Sequence, residues 1–422
     1  MSVAGLHSAS RYGTQLPAAP DASDAPLLVR WLAVFAVMGG LTVNLFLCFV
    51  NTRITGIHPS WVMAGEALMI AAAGLAALDR RLGLYLMVGV FVSYMIFLFA
   101  MRHAIDPKPV RDVLIPILFY FTGSRLRDPV LGDRMVVVSA VIVTFFGLFE
   151  YLATDLYLQI FNILGYYIAR GTVTLQDTYG ATTGLFASGL RPEPRTLLPF
   201  LGQHRVSSVF LEPVSAGNFG VIIFCWAYFR KEMGGRWLVI AAAMTSIVLA
   251  DARFGFLTCV AIVVLAPFFR FIPRVMWLAA PLLLLAVISA YGLHSGTEGG
   301  PNDIAGRFKV TASLLARLTP EIVFGMQTTD SFTADSGLAY TLTQFGLFGF
   351  IFIWWAAVYA PARTTRAWQF HAGILVYMIL LLLISNSLYS IKTAGLMWCL
   401  LGIADHASVF SAPTASRRKS SA

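Results

Sequence analysis

Charged residues are scarce in this chain of 422 residues. Asp, Glu, Lys and Arg together make up 12%, whereas hydrophobic residues make up 58%. A soluble domain needs a larger polar share to cover its surface, so the composition excludes an ordinary soluble fold. The mean hydropathy of +0.75 agrees with a polytopic membrane protein.

Cysteine is also rare, and the polar segments contain none. The four cysteines, Cys48, Cys225, Cys259 and Cys399, all fall inside apolar segments, which excludes a disulfide framework or a cysteine metal site in the loops. The sequence lacks a glycine-rich phosphate loop of the Walker or dinucleotide type, so direct use of ATP is not expected. We expect no metal or other cofactor, and no nucleic acid partner.

Long apolar segments dominate what is present. Most of them, at roughly 15 to 24 residues, are long enough to cross about 30 Å of hydrocarbon as a helix. The fourth is the weakest, because it is short and contains Pro116. The predicted fold is an all-α polytopic membrane protein with about 12 transmembrane helices. Their predicted extents are 31–50, 61–78, 82–101, 110–124, 134–153, 209–228, 237–251, 253–269, 275–292, 336–359, 368–386 and 391–408.

The spans form a single predicted transmembrane domain at residues 31–408. An Ala-, Ser- and Pro-rich tail at 1–30 is predicted to be disordered and cytoplasmic. A basic tail at 409–422 is predicted to be cytoplasmic as well. Two long polar loops, at about 154–208 and 293–335, interrupt the spans.

Each loop contains a stretch with helical periodicity. In the first loop, apolar residues recur at helical spacing in segment 155–167. In the second loop, the amphipathic stretch is 307–318, and Pro320 ends it. Both stretches are predicted to lie on the membrane surface.

The distribution of Lys and Arg predicts the orientation. With both termini cytoplasmic, 17 of the 30 cations lie on the inside, mostly in short connections, as the positive-inside rule requires. Long loops cross the membrane regardless of charge, so their arginines could serve solubility or contact lipid phosphates. Arginine also binds phosphate through two hydrogen bonds at once, which favours a shared site. Seven cations lie in the two predicted periplasmic loops: Arg170, Arg191, Arg195, Arg205, Arg307, Lys309 and Arg317.

Two stretches near the predicted outer face contain paired charges. Arg205 and Glu212 are seven residues apart and would share one face of a helix that ran through both. They could form a local ion pair or belong to a functional site. Asp251 and Arg253 lie in a tight turn between apolar runs. Asp251 could be the structural counter-ion of Arg253, and a bound diphosphate would serve equally well.

Two further stretches add Arg307, at the head of the second amphipathic segment, and Asp335, at the start of the tenth span. Asp335 could cap that helix or accept a proton. Glu66 and Glu150 are ionisable groups at predicted membrane depth. Such groups raise a functional question, and pairing with an arginine to hold helices together is the alternative.

Taken in order, these stretches resemble the superfamily of bacterial polysaccharide polymerases (Wzy) and O-antigen ligases. The resemblance covers about the C-terminal half. Asp251 to Gly255 stands where the family usually has Ser-Arg-Gly, and Asp335-Ser336 stands where its ligases typically have a His and a small polar residue. The second departure favours a polymerase. The matching stretches are Arg205 to Gly217, Asp251 to Gly255, Gly306-Arg307 with an amphipathic helix, Pro320, Phe324-Gly325, Asp335-Ser336 and Gly346 to Gly349.

The resemblance implies an exopolysaccharide polymerase of the bacterial inner membrane. Such an enzyme moves a growing glycan from polyprenyl diphosphate onto a lipid-linked repeat unit at the periplasmic face, without a metal. It implies that the lipid-linked oligosaccharide and membrane lipids are partners, together with chain-length regulator and export proteins. The implied roles are diphosphate binding for Arg205, Arg253 and Arg307, proton acceptance for Asp335 or Glu212, and glycan or loop contacts for Arg170, Arg191, Arg195 and Arg317.

Two alternatives stay open. A ligase of the same superfamily would attach finished glycan to another acceptor. A secondary transporter or a lipid-linked oligosaccharide flippase would also suit twelve spans. A transporter, however, favours polar residues at the bilayer midplane, whereas here they gather at the predicted outer edge.

Overall fold

The computed structural model describes residues 25–173, 184–185, 187–190, 195–294, 304–329, 333 and 335–407. This part of the chain is all-helical and contains no β-strand beyond a single bridge between Leu190 and His204. The helices are α1 Leu27–Arg53, α2 Pro59–Ala77, α3 Leu82–Arg102, α4 Pro107–Leu126, α5 Pro129–Leu152, α6 Thr154–Ile160, α7 Ile163–Ala169, α8 Pro213–Phe229, α9 Arg236–Leu249, α10 Arg253–Leu265, α11 Arg274–Gly292, α12 Ile304–Ala316, α13 Pro320–Val323, α14 Gly337–Tyr359, α15 Thr365–Leu381 and α16 Ile391–His406.

Each of the twelve predicted apolar segments falls on one of these helices. Six helices, namely α1, α2, α3, α5, α11 and α14, are individually long and apolar enough to cross a membrane. Helices α8, α9 and α10 are apolar but shorter. The fourth segment forms the continuous helix α4 despite Pro116 in its interior. The fold is therefore an all-α bundle with six helices that have the length and composition of membrane spans.

Local sequence signals explain where several helices begin. Proline occupies the first position of α2, α4, α5 and α8, where its missing N–H costs nothing and its fixed φ suits a helix. Asp106 caps α4 by accepting a hydrogen bond from the Lys108 backbone N–H, and Asp128 caps α5. These caps satisfy amide groups that have no partner inside the helix.

Helices α4 and α16 pack against each other through glycine. A Cβ added at Gly123 would lie 2.0 Å from the carbonyl oxygen of Cys399, and one added at Gly402 would lie 2.0 Å from that of Tyr120. Only a residue without a side chain permits so close an approach of two backbones. This contact fixes the position of α16 against α4, and both helices carry charged residues at their other ends.

A kink in α14 joins three parts of the chain. Gly346 has a φ of 66° inside the helix, and a Cβ there would lie 3.0 Å from the carbonyl oxygen of Phe324. The Arg102 guanidinium donates hydrogen bonds to the carbonyl oxygens of Gly325 and Thr343. The stretches around Phe324 and Gly346, which both contribute to the family resemblance, are thus neighbours in space.

The start of the first loop differs from the single surface helix that its periodicity predicts. It forms two short helices, α6 and α7, and Asn162 caps the second by accepting from the Gly165 N–H. Phe161 and Leu164, on the predicted apolar stripe, are buried in the protein. Tyr166 donates a hydrogen bond of 2.6 Å to Asn44 of α1. Phe161 and Leu164 therefore pack on the bundle, whereas Leu156 of the same stripe stays exposed.

Ion pairs connect helix ends on one side of the bundle. The paired residues lie at the start of α1 and α15 and at the ends of α4, α8 and α16. The helix ends on this side of the bundle therefore share a polar network. The ion pairs are Arg30 with Asp128, Arg230 with Asp133 at 3.4 Å and Arg366 with Glu232 at 2.5 Å, and the His371 ring lies 3.0 Å from the Asp405 carboxylate.

We predict that Gly123→Ala destabilises the bundle, because its methyl group would collide with the Cys399 carbonyl. Overpacking of this kind costs on the order of 1–3 kcal/mol. The free energy of unfolding, measured by denaturation of the purified protein in detergent, should fall accordingly. The control is Gly89→Ala, since nothing lies within 4 Å of a Cβ added at Gly89 in α3. Equal stabilities for the two variants would contradict the close contact.

Candidate active site

A cavity of about 950 Å³ lies at the end of the bundle opposite these ion pairs. Its walls come from segments that are far apart in the sequence, including the starts of α4, α8, α10 and α16, the end of α15 and part of α12. Its charged lining has a formal net charge of +2, since seven cations face five carboxylates. The cations are Lys108, Arg111, Arg170, Arg205, Arg253, Arg307 and Lys392, and the carboxylates are Glu66, Asp112, Glu212, Asp251 and Asp335.

The cavity brings together most of the site residues that the sequence predicts. The predicted diphosphate ligands Arg205, Arg253 and Arg307 all line it, and we call them the arginine group. Both predicted proton acceptors, Asp335 and Glu212, line it as well. The four predicted glycan or loop contacts divide: Arg170 lines the cavity, Arg195 and Arg317 lie outside its lining, and Arg191 lies outside the described residues.

Arg205 is held by backbone carbonyl groups. Its guanidinium donates from Nε to the Ala250 oxygen at 3.0 Å and from Nη1 to the Ser188 oxygen at 3.1 Å. Arg205 and Glu212 would share a helical face only if one helix ran through both, and it does not, because α8 begins at Pro213. The segment before it contains a 3-10 turn at Ser208–Phe210. Glu212 therefore points toward a different partner.

Arg253 lies where α10 begins, directly after a tight turn. Asp251 in that turn has a φ of 47°, and its carboxylate accepts hydrogen bonds from the backbone N–H groups of Thr196 and Leu197 at 3.1 and 3.0 Å. The Arg253 Nε lies 4.0 Å from the Asp251 carboxylate. Asp251 thus ties the first loop to this turn and also faces Arg253.

Glycine allows this turn to approach α8. A Cβ added at Gly217 would lie 2.2 Å from the Cβ of Ala252, and one added at Gly255 would lie 3.3 Å from the Gly217 carbonyl oxygen. The two stretches singled out in the sequence, around Gly217 and around Arg253, are therefore in direct contact. The contact holds Arg253 at the cavity.

Arg307 and Asp335 face each other at the mouth of the cavity. Their closest atoms, Nη1 and Oδ1, are 3.8 Å apart, and 56% of the Asp335 side chain is exposed. Asp335 does not cap α14, because that position belongs to Ser336, whose hydroxyl accepts from the Ala339 N–H. The capping interpretation of Asp335 is therefore wrong. Its carboxylate faces the cavity instead of the helix end.

Glu212 pairs with Lys392, a residue that the sequence analysis missed. The Lys392 ammonium lies 2.6 Å from Glu212 Oε2, and the Ser215 hydroxyl donates to the same oxygen at 2.9 Å. Burial by itself would raise the pKa of the Glu212 carboxyl, but Lys392 and Ser215 lower it below its ordinary value of 4.5. The available signal was a single lysine at the predicted outer end of the last span.

A second missed cluster lies on the wall formed by α2 and α4. Arg111 contacts Glu66 at 2.6 Å and Asp112 at 2.6 Å. Tyr340 donates a short hydrogen bond to Asp112, and the Lys108 ammonium lies over the Tyr340 ring. Glu66 thus pairs with an arginine, which is one of the two interpretations that the sequence analysis leaves open for this residue. The signal for this wall was the group of charges that opens the fourth predicted span.

Arg195 and Glu150 fix the first loop to the bundle. Arg195 donates to the Val248 carbonyl oxygen at 3.3 Å, and burial lowers its pKa. The buried Glu150 carboxylate accepts hydrogen bonds from the backbone N–H groups of Ser207 and Ser208 and contacts His204 at 3.1 Å. Glu150 thus holds the segment that leads from Arg205 to Glu212, and its partners are backbone amides instead of an arginine.

The described residues contain no group of three or more His, Cys, Asp or Glu side chains that could hold a metal ion.

No protein-family model, no curated protein and no solved structure matches this chain significantly. The arrangement of the described side chains offers guanidinium and ammonium groups to an anion and a half-exposed carboxylate, Asp335, to a proton.

We predict that the Glu212–Lys392 pair stabilises the protein at neutral pH and loses this effect in acid. A carboxyl whose pKa is lowered by folding stabilises the fold above its unfolded pKa, and the stabilisation disappears as the pH falls through the folded value. The difference in melting temperature between wild type and Glu212→Gln should therefore shrink below the ordinary pKa of 4.5.

Thermal unfolding in detergent at a series of pH values from neutral to acidic measures this difference. Asp155→Asn, which changes an exposed carboxylate outside the cavity, controls for general effects of acid. A gap between wild type and Glu212→Gln that stays constant through the acid range would contradict the lowered pKa.

Proposed function

We propose that this chain is a polysaccharide polymerase of the bacterial inner membrane. It transfers a growing glycan from polyprenyl diphosphate onto a lipid-linked repeat unit at the periplasmic face. The observation that carries the proposal is the cavity in which the arginine group, Lys392 and Arg170 gather at one end of an apolar bundle. This arrangement suits an anionic head group that enters from a membrane.

The charge of the cavity supports a diphosphate ligand. Its lining carries a formal excess of positive charge, with seven cations and five carboxylates, and this excess attracts an anionic diphosphate. Guanidinium groups bind phosphate oxygens through paired hydrogen bonds. The Arg205 guanidinium is held by backbone carbonyls before any ligand arrives, and the Asp251 carboxylate lies 4.0 Å from the Arg253 Nε.

In the proposed reaction, an acceptor sugar hydroxyl attacks the anomeric carbon of the growing chain. The bond from that carbon to the diphosphate oxygen breaks, and the diphosphate leaves with the bonding electrons. Negative charge grows on the leaving group, and preorganised cations in a water-poor site stabilise it. The hydroxyl proton passes to a carboxylate.

Asp335 suits the proton-accepting role better than Glu212 does. Glu212 is engaged by Lys392 and Ser215, and its pKa is lowered, so it is a weak base. Asp335 is half-exposed at the mouth of the cavity, and its nearest cation is 3.8 Å away. Glu212 then acts as a positioning residue for Lys392.

The proposed topology has twelve spans with both termini in the cytoplasm. The six long apolar helices and the three shorter ones supply nine of these spans, and α4, α15 and α16 supply the others. The cavity and the loops around 154–208 and 293–335 then face the periplasm. The opposite end, where Arg30, Arg230 and Arg366 lie, then faces the cytoplasm, in agreement with the positive-inside rule.

We predict that Arg253→Lys and Arg307→Lys each reduce the mass of the secreted polymer strongly. A lysine ammonium is a point charge and cannot reproduce the two-pronged contact of a guanidinium with a diphosphate. The experiment expresses each variant in a strain from which the gene is deleted and measures polymer mass and lipid-linked intermediates. The deletion strain itself should accumulate a single lipid-linked repeat unit at the outer face.

Arg317→Lys is the matched control, because Arg317 is an exposed arginine of the same loop outside the cavity lining. It should restore full-length polymer. Normal polymer from both Arg253→Lys and Arg307→Lys would remove these residues from the site. Polymer of normal length that is no longer attached to its final acceptor in the deletion strain would indicate a ligase instead.

We predict that the cavity end of the bundle is accessible from the periplasm. The native cysteines Cys48, Cys225, Cys259 and Cys399 are all buried, so a cysteine introduced at an exposed site can be labelled selectively. Thr319→Cys should react with a membrane-impermeant maleimide added to intact spheroplasts. Gly234→Cys, where nothing lies within 4 Å of an added Cβ, should react only after the membrane is opened. The reverse pattern would invert the topology and overturn the proposed function.

A further inference from the structure

The cavity contains a second group of hydrogen-bond donors besides the arginine group. Lys392 is the second residue of α16, Asn218 lies in α8, and Arg170 directly follows α7. All three line the cavity, and we call them the lysine corner. Lys392 touches Glu212 at 2.6 Å, and Arg170 is close enough to help lower the pKa of the same carboxyl. Lys392 therefore pairs directly with Glu212, and the positive charge of Arg170 favours the same carboxylate.

Two side chains of the lysine corner have hydrogen-bond donors that are available to a ligand. The Asn218 side chain is only 3% exposed, and within the described part of the chain its Nδ2 has no hydrogen-bond partner. Such a buried amide group is costly unless a ligand or water pairs with it. Lys392 contacts Glu212 through one N–H, which leaves further donors of its ammonium available to the cavity.

The two cationic groups use different carboxylates. The carboxylates nearest the arginine group are Asp251 and Asp335, whereas the lysine corner has Glu212. With these partners counted, each group keeps one formal positive charge. The cavity volume of about 950 Å³ is near the upper end of the usual range for ligand pockets, which is about 300–1,000 Å³. Each of the two groups therefore offers an anion cations that are not fully compensated by their own carboxylates.

We propose that the lysine corner is a second oxyanion subsite, which holds the diphosphate of the second lipid-linked substrate while the arginine group holds that of the first. This inference rests on the proposed function, in which donor and acceptor both carry polyprenyl diphosphate. A transferase whose acceptor has no diphosphate would need one such subsite. The lysine corner therefore assigns the chain to polymerisation instead of ligation.

The test measures how many molecules of farnesyl diphosphate bind to the purified full-length protein in nanodiscs, by isothermal titration calorimetry. Wild type should bind two equivalents. Lys392→Gln and Arg253→Gln should each bind one, because each removes a cation from a different subsite. Lys392→Arg should keep two, since it keeps the charge. Lys309→Gln, which changes an exposed cation outside the cavity lining, should also keep two.

A second variant guards against a folding defect, since Lys392→Gln leaves the Glu212 carboxylate without its ammonium partner. Asn218→Asp preserves that ion pair and has nearly the size of asparagine, but it replaces an open donor with a carboxylate. It should weaken the second binding event at least about tenfold, because it places like charges together. Two equivalents that persist in both Lys392→Gln and Asn218→Asp would overturn the second subsite.

Other outcomes separate this inference from the proposed function. A single equivalent in wild type, removed by Arg253→Gln, would overturn the second subsite and leave the proposed function standing. No binding of farnesyl diphosphate to wild type would overturn both. Displacement of the Lys392-dependent equivalent by an equal concentration of glucuronic acid would show a sugar carboxylate site, and it would overturn the assignment to a diphosphate.

Discussion

Glu212 and Lys392 lie 2.6 Å apart in a bundle whose helices are mostly apolar, and each charge compensates the other. Removing an ion from water costs several kcal/mol, roughly, unless a partner and hydrogen bonds replace the water. The same constraint shapes the rest of the cavity. Arg111 is held between Glu66 and Asp112, and Arg205 is held by backbone carbonyl oxygens.

The charges that line the cavity are only partly compensated by charges of opposite sign, and this suits the cavity to a ligand. The lining keeps an excess of positive charge, and the buried amide of Asn218 has an open donor among the described residues. An anionic ligand would complete both. At the opposite end of the bundle, pairs such as Arg366 with Glu232 and Arg230 with Asp133 bring opposite charges into contact.

Close helix packing makes the site possible. Gly217 lets the turn that carries Arg253 approach α8, and Gly123 and Gly402 bring α4 and α16 together. Lys108 and Arg111 near the start of α4 and Lys392 near the start of α16 consequently face one cavity. Replacing any of these glycines with a larger residue would separate backbones that now touch.

The sequence predicted the helical class, the positions of the apolar helices and the five residues Arg205, Arg253, Arg307, Glu212 and Asp335, which line a common cavity. Hydrophobic runs, and charges in a chain poor in charge, are local signals that can be read from the sequence. It offered Asp251 as a partner of Arg253, but it did not predict the partners of Arg205 and Glu212. Only the tertiary structure shows that Ser336 caps α14 in place of Asp335, that Glu212 faces Lys392 across 180 residues of chain, and that Arg195 and Arg317 stay outside the cavity. Pairing across such distances depends on which helix ends meet, and that is decided by the packing of side chains and glycines over the whole bundle.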